Sequence, residues 1–160
     1  MDIQLNLPET LAELCNPLFD VLPIESALAD LKSPTPVHSE LVAALVETPY
    51  FLNNPSLAAG IWLYAGDIWK SHTISQSIPD ETGAWWHGIM HRLEGDYWNS
   101  KYWIRQVDGH PLLNLRPDIE PMRIVESVEI AHGMANDWLV SCQRAEWAAL
   151  FSWCAEQSLR

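Results

Sequence analysis

The amino-acid sequence predicts an all-α fold, a single compact domain of about six to eight helices spanning residues 1–160. Apolar residues recur at helical spacing in most segments between the prolines and glycines. No segment shows the two-residue alternation of a strand bounded by hairpin turns. Of 160 residues, 48% are hydrophobic and 19% are charged, a balance that suits one domain with a buried core and argues against wholesale disorder.

Residues 1–50 are expected to form short helices with an acidic, solvated surface. They carry eight acidic residues and one basic residue, a bias typical of a solvent-facing region. Prolines restrict the helices here to about two or three turns. The apolar spacing predicts helices over 9–15 and 24–31, and Ser39 is expected to cap a third. These elements should pack on a core formed by residues 55–157.

Longer helices are expected to build that core. Asn54 followed by Pro55 is a typical helix start, since proline at the first helical position loses no hydrogen bond. The pattern predicts one helix over 55–77 and a turn over 79–83, with Thr82 capping the next helix. Residues 111–121 hold three prolines and are expected to be a loop. The further predicted helices cover 83–94, 97–107, 122–131 and 137–157.

Charge and composition exclude several classes of partner. The formal net charge is −12, which repels nucleic acids and anionic membrane surfaces, so neither is expected as a partner. The amino terminus lacks a basic segment followed by an apolar run, and the longest apolar window, 57–64, is too short to cross a bilayer. The three cysteines are widely spaced and form no CxxC pair. We therefore expect a cytoplasmic protein without a cysteine zinc site.

The most unusual feature is a segment rich in histidine and tryptophan. Residues 62–110 hold six of the nine tryptophans and four of the six histidines. His87 and His91 are four residues apart and share one helical face, which Glu94 extends. Two imidazoles and a carboxylate on consecutive turns can bind Zn²⁺, Ni²⁺ or Fe²⁺. The spacing therefore predicts a divalent metal site.

A second helix is expected to contribute to this site. His72 and Gln76 share a face of the preceding helix, and a hairpin through the 79–83 turn would bring His72 to the cluster as a further ligand. Gln76 or Asp67 is then expected to orient the metal ligands. The zinc-protease motif needs glutamate directly after its first histidine, where this chain has Gly88. That class of protease is excluded.

Three interpretations of the cluster remain open on sequence alone. The metal can serve an open site for a small molecule, with hydrolysis as the reaction and His87, His91 and Glu94 as candidate catalytic residues. Alternatively, the chemistry is metal-free, with His87 or His91 as the base and Glu94 orienting it. In the third interpretation the cluster is a buried hydrogen-bonded network in a non-catalytic binding or interaction module.

An aromatic run follows the cluster and includes Trp98, Tyr102 and Trp103. It either packs one helix on its neighbours or lines a pocket in which Arg105 holds an anionic or sugar-like ligand. In the non-catalytic interpretation, the aromatic surface binds a ligand or a second subunit of a homo-oligomer. The predicted ligand-binding residues around the metal are Gln76, Arg92, Tyr102, Arg105 and His110.

Several ordered strings resemble one uncharacterised family of small all-helical proteins from bacteria and fungi. The resemblance covers about residues 60–156 and includes QRAEW in the last helix. It implies a shared architecture and a shared polar cluster without naming a reaction. This chain departs from the family pattern at Trp85, Leu93 and Trp98. The strings that carry the resemblance are SHTISQ (71–76), WHGIMHR (86–92), EGD (94–96), YW (102–103) with Arg105, and GHP (109–111).

Overall fold

A computed structural model of the chain describes residues 2–160, and this part is helical with no strand, which confirms the all-α class. It contains ten α-helices, eight of them of eight residues or more, so the helices are slightly more numerous than expected. Within the same residues, no helix combines the length and apolarity needed to cross a bilayer. In chain order the helices are α1 (Glu9–Val21), α2 (Ser39–Val46), α3 (Pro49–Leu52), α4 (Pro55–Tyr64), α5 (Ile68–Ser75), α6 (Glu81–Glu94), α7 (Tyr97–Ile104), α8 (Leu112–Leu115), α9 (Pro121–Ile130) and α10 (Asp137–Gln157), with a 3₁₀ turn over Arg105–Val107 after α7.

The helices α4 to α7 pack in succession, each against the next, and α10 packs across α4 and α9. The core between them contains Trp85, Trp86 and Trp147, which are all fully buried. Such large apolar side chains contribute most to the hydrophobic stabilisation of a domain. The site described below lies on this packed set of helices.

Close contact between α6 and α7 depends on Gly88. A Cβ atom at this position would lie 2.6 Å from Ile104 Cδ1, inside van der Waals distance. The hydroxyl of Ser100 donates a 2.7 Å hydrogen bond to the Gly88 carbonyl oxygen. The missing side chain therefore lets α7 lie directly against the part of α6 that carries His87 and His91.

The predicted single helix over 55–77 is wrong, because the chain breaks between α4 and α5. Gly66 has φ +82°, a left-handed conformation that favours glycine. A Cβ atom there would also lie 2.8 Å from the Thr35 carbonyl oxygen of a distant loop. Asp67 then accepts a hydrogen bond from Lys70 N and caps α5. The break follows from packing against the loop, which local periodicity does not show.

The prediction of a helix over 24–31 is also wrong, since this segment forms turns. Its carbonyl oxygens bind side chains of α10 instead of backbone amides. Gln143 Nε2 donates to the carbonyls of Leu28 and Asp30 at 3.0 and 2.9 Å, and Arg144 Nε donates to the carbonyl of Ala27 at 2.9 Å. Tertiary hydrogen bonds therefore replace the helical ones.

Smaller corrections concern helix ends. The first helix is longer than expected, since α1 continues through Pro17 to Val21. The cap of α6 is Asp80, whose Oδ1 accepts from Gly83 N at 3.0 Å, and not Thr82. Ser39 is the first residue of α2 and not its cap. The expected loop over 111–121 contains the single turn of α8, whereas α10 has the predicted bounds.

Candidate metal centre

Three histidines from the α5–α6 hairpin come together, as the hairpin prediction requires. His72, His87 and His91 each offer a ring nitrogen, and these nitrogens lie within 4.8 Å of one another. The ring centre of His87 lies 4.8 Å from those of both His72 and His91, and the last two are 5.5 Å apart. Imidazoles bound tetrahedrally to one zinc ion have ring centres about 5 Å apart, given Zn–N bonds of about 2.0–2.1 Å. The spacing of the ring centres is compatible with a single ion, but the rings of His87 and His91 are stacked, with planes 21° apart, so binding one ion requires their nitrogens to turn toward each other.

The cluster lies at the edge of the core. His87 and His91 are buried, with 5% and 8% of their surface exposed, whereas His72 is half-buried. The two buried rings come from α6, and α5 supplies the more exposed one. A ligand would therefore reach the cluster from the side of His72.

Glu94 holds His91 and does not join the three histidines. Its Oε2 lies 2.8 Å from His91 Nδ1. A neutral His91 that donates its Nδ1 proton to this carboxylate keeps the Nε2 lone pair for a metal, an arrangement common in metal sites. Glu94 thus positions a ligand, although the sequence predicted it as a ligand itself. His91, Glu94 and Asp96 form a second group whose side chains are close enough to hold an ion. The position of Asp96 is explained by its role as the cap of α7, where it accepts from both nitrogens of Asn99.

Two tryptophans form the walls of the cluster. Trp103 of α7 stacks on His87, with ring centres 4.0 Å apart and ring planes 18° apart. Trp69 meets His72 edge-on at 6.1 Å. Trp103 belongs to the aromatic run that was expected either to pack or to line a pocket, whereas Trp69 was not among the sequence-predicted site residues. Trp69 is three residues before His72 on the same helix, and that spacing is the signal which identifies it as a neighbour.

The surroundings of His72 and His87 favour the neutral forms of these two imidazoles. Burial, together with repulsion of its positive form by His91 and His72, lowers the pKa of His87 to about 4. Burial also lowers the pKa of His72, His91 adds to this effect, and Glu94 opposes it. Neutral imidazole is the form that binds metals, so these ligands are available at physiological pH.

The low pKa of His87 predicts a pH-dependent stability of the metal-free protein. Between about pH 6.5 and 4 the unfolded chain protonates His87 and the folded chain does not. Stability should therefore fall as the pH is lowered through this range, by up to about 3 kcal/mol. Urea unfolding in chelator should show this fall, and His87→Asn should reduce it. The matched control is His132→Asn, at an exposed histidine, which should leave it unchanged. An equal pH dependence of stability in wild type and in His87→Asn would contradict the assignment of this fall to His87.

Arg92 lies away from the histidine cluster, in the core. It is fully buried, with Nη2 2.7 Å from Glu146 Oε2. Nη2 also donates to Gln143 Oε1 at 3.3 Å, and Trp85 Nε1 donates to Glu146 Oε1 at 3.0 Å. One residue along a helix turns the side chain by about 100°, so Arg92 cannot share the face of His91. The prediction that Arg92 lies beside the metal is therefore wrong.

His110 is also placed elsewhere. Its Nε2 lies 3.0 Å from Thr82 Oγ1, and its Nδ1 accepts from Leu112 N at 3.1 Å. Its ring packs edge-on against Trp85 and Trp153. These contacts make His110 part of the join between α6, α8 and α10, and not a wall of the cluster.

The remaining predicted ligand-binding residues lie outside the cluster, on exposed positions. Gln76 is the cap residue that ends α5, and Arg105 begins the 3₁₀ turn. Tyr102 is 48% exposed and touches Trp103, so one residue separates it from His87. A ligand-binding role for these three residues stays a prediction.

Comparisons with protein-family models, with curated proteins and with solved structures found no match to this chain. The resemblance to the bacterial and fungal family therefore stays a prediction. The function proposed below rests on the geometry of the site alone.

Proposed function

We propose that this protein binds a divalent transition-metal ion, in first place zinc, through His72, His87 and His91. The observation that carries the proposal is the convergence of three ring nitrogens within 4.8 Å of one another. They belong to two packed helices, and two of the rings are buried. An all-imidazole ligand set suits zinc, and nickel and ferrous iron are the next choices.

The hydrogen bonds favour this proposal over a purely structural network. Buried polar groups in a structural network are normally hydrogen-bonded to other protein groups. Among the described residues, the only cluster ring with a side-chain partner is His91, which pairs with Glu94. The rings of His72 and His87 instead pack on one another and on that of His91, with ring centres 4.8 to 5.5 Å apart. The ring nitrogens of His72 and His87 are not among the fully buried atoms that lack a partner, so an ion can reach them and supply the partner that no side chain provides.

The ligand set also supports a catalytic role. Three protein ligands leave a fourth position of a tetrahedral zinc ion open to water or substrate, which distinguishes catalytic from structural zinc sites. A bound ion supplies a polarised water at neutral pH, suited to hydrolysis. In this protein Glu94 would hold His91, and Trp103 would fix the ring of His87. We therefore propose a metal-dependent hydrolase of a small molecule.

Elemental analysis tests the metal. The untagged protein, purified without chelator, should contain about one equivalent of a transition metal, or take up one equivalent of zinc on titration. The matched sample is the His87→Asn variant, which should contain much less. A wild-type content below about a tenth of an equivalent, together with no uptake of zinc, nickel or iron on titration, would overturn the proposal.

A further inference from the structure

A cavity of about 320 Å³ adjoins the histidine cluster. Its walls come from the loop before α2, the turn between α4 and α5, the start of α5 and the end of α6. They include Pro34, Pro36, Asp67, Trp69 and Glu94. Two of these residues also contact the cluster. The Trp69 ring centre lies 6.1 Å from that of His72, and Glu94 Oε2 lies 2.8 Å from His91 Nδ1. None of the three histidines lines the cavity, but a molecule in it would lie beside Trp69 and Glu94, which contact His72 and His91.

The cavity wall is negative and aromatic. It carries the carboxylates of Asp67 and Glu94, and no lysine, arginine or histidine of the described residues lines it. The indole of Trp69 is 57% exposed. The nearest basic group to Asp67, the Lys70 ammonium, lies 4.0 Å from Asp67 Oδ2 on an exposed side chain that also covers the Trp62 ring. An exposed pair of this kind neutralises the carboxylate only weakly.

These groups suit a cationic ligand. A carboxylate pairs with a protonated amine or guanidinium through charge-assisted hydrogen bonds, and an indole face attracts the same cation. Glu94 uses Oε2 for His91, which leaves Oε1 for a ligand. The net charge of −12 adds to the attraction for cations and repels anions.

We propose that this cavity is the substrate pocket of the metal centre and takes a compact small molecule with a protonated amine. Asp67 and Glu94 bind the amine, and Trp69 packs on the adjoining carbon atoms. The volume is at the low end for small-molecule sites, so the ligand is about the size of one ring with a short side chain. The substrate role rests on the proposed metal-binding function, whereas binding of the amine does not.

Three probes of similar size and different charge test the pocket: benzylamine, benzyl alcohol and benzoate. Calorimetric titration into chelator-treated protein, and separately into zinc-loaded protein, should show benzylamine binding about tenfold or more tighter than benzyl alcohol. Benzoate should show no binding to the chelator-treated protein, in which no zinc ion is present to bind its carboxylate. Equal affinity for the three probes, or no binding of benzylamine to either form of the protein, would overturn the inference.

A pair of matched variants locates the binding. Asp67→Asn removes a charge from the cavity and keeps an oxygen to accept from Lys70 N, so α5 keeps its cap. It should weaken benzylamine binding about fivefold. Asp80→Asn makes the same change at the cap of α6, outside this cavity, and should have no effect. Equal losses in the two variants would contradict a site at Asp67.

The result for zinc binding and the result for benzylamine binding can be interpreted separately. If zinc binds and benzylamine does not, the pocket is wrong and the metal centre stands. If benzylamine binds with the expected response to Asp67→Asn and no metal binds, the amine site is supported and its role as a substrate pocket is overturned.

Discussion

Zinc affinity should fall about a hundredfold or more when His87 is replaced by asparagine. His87 is the central member of the cluster, since its ring centre lies 4.8 Å from those of both other histidines. It is also buried and stacks on Trp103, which fixes the position of its ring. Competition with a chromophoric chelator measures the change, and circular dichroism checks that the variant is folded.

Substitutions of Glu94 test whether this residue positions His91 or binds the metal itself. Glu94→Ala should weaken zinc binding about ten- to a hundredfold, since His91 loses the group that orients its ring. Glu94→Gln should recover most of the affinity, because the amide oxygen can still accept from His91 Nδ1.

His132→Asn, at an exposed histidine, is the control for the histidine substitution and should bind zinc normally. Wild-type affinity in the His87→Asn variant would show that zinc binds elsewhere.

The largest expected loss of stability comes from the buried ion pair in the core. Glu146→Gln removes the carboxylate 2.7 Å from Arg92 Nη2 and leaves a fully buried guanidinium without a counter-charge. Such a change costs about 3–5 kcal/mol of unfolding free energy. The glutamine oxygen can still accept from Trp85 Nε1, so the variant tests the charge more than the hydrogen bond. Urea unfolding measures the loss.

Two further variants test whether this loss of stability comes from the Arg92–Glu146 ion pair. Arg92→Met with Glu146→Gln should recover at least about half of it, because an unpaired buried charge costs more than an apolar replacement. Glu156→Gln breaks the exposed pair with Arg160, 3.6 Å apart, and should cost less than about 0.5 kcal/mol. A loss below about 1 kcal/mol for Glu146→Gln would show that Arg92 is not dependent on this carboxylate.

The sequence predicts the helices where local signals decide the structure. The bounds of α10 match the prediction, and Asn136 caps the helix locally by accepting from Leu139 N. The sequence-based prediction fails where a contact with residues far away in the chain determines the local structure. Gly66 breaks the helix over 55–77 against Thr35, and carbonyls of residues 27–30 bind Gln143 and Arg144 of α10. Periodicity within one segment holds no information about such contacts.

The same limit applies to the site. The spacing of His87 and His91, with His72 one hairpin away, predicts the three imidazoles that meet. Spacing alone cannot tell that the Glu94 carboxylate turns to His91 Nδ1. Nor does it reveal that Arg92 turns into the core, because its partner Glu146 is more than fifty residues away along the chain. The face of a helix is readable from sequence, and the partner of each side chain is not.

X-ray absorption at the zinc edge of the loaded, untagged protein tests the central claim most directly. The spectrum should show three imidazole nitrogens at about 2.0–2.1 Å and one further light-atom ligand, and the imidazole signal should weaken in His87→Asn. A shell of water or carboxylate oxygens, or an imidazole signal that His87→Asn leaves unchanged, would contradict a metal centre at His72, His87 and His91.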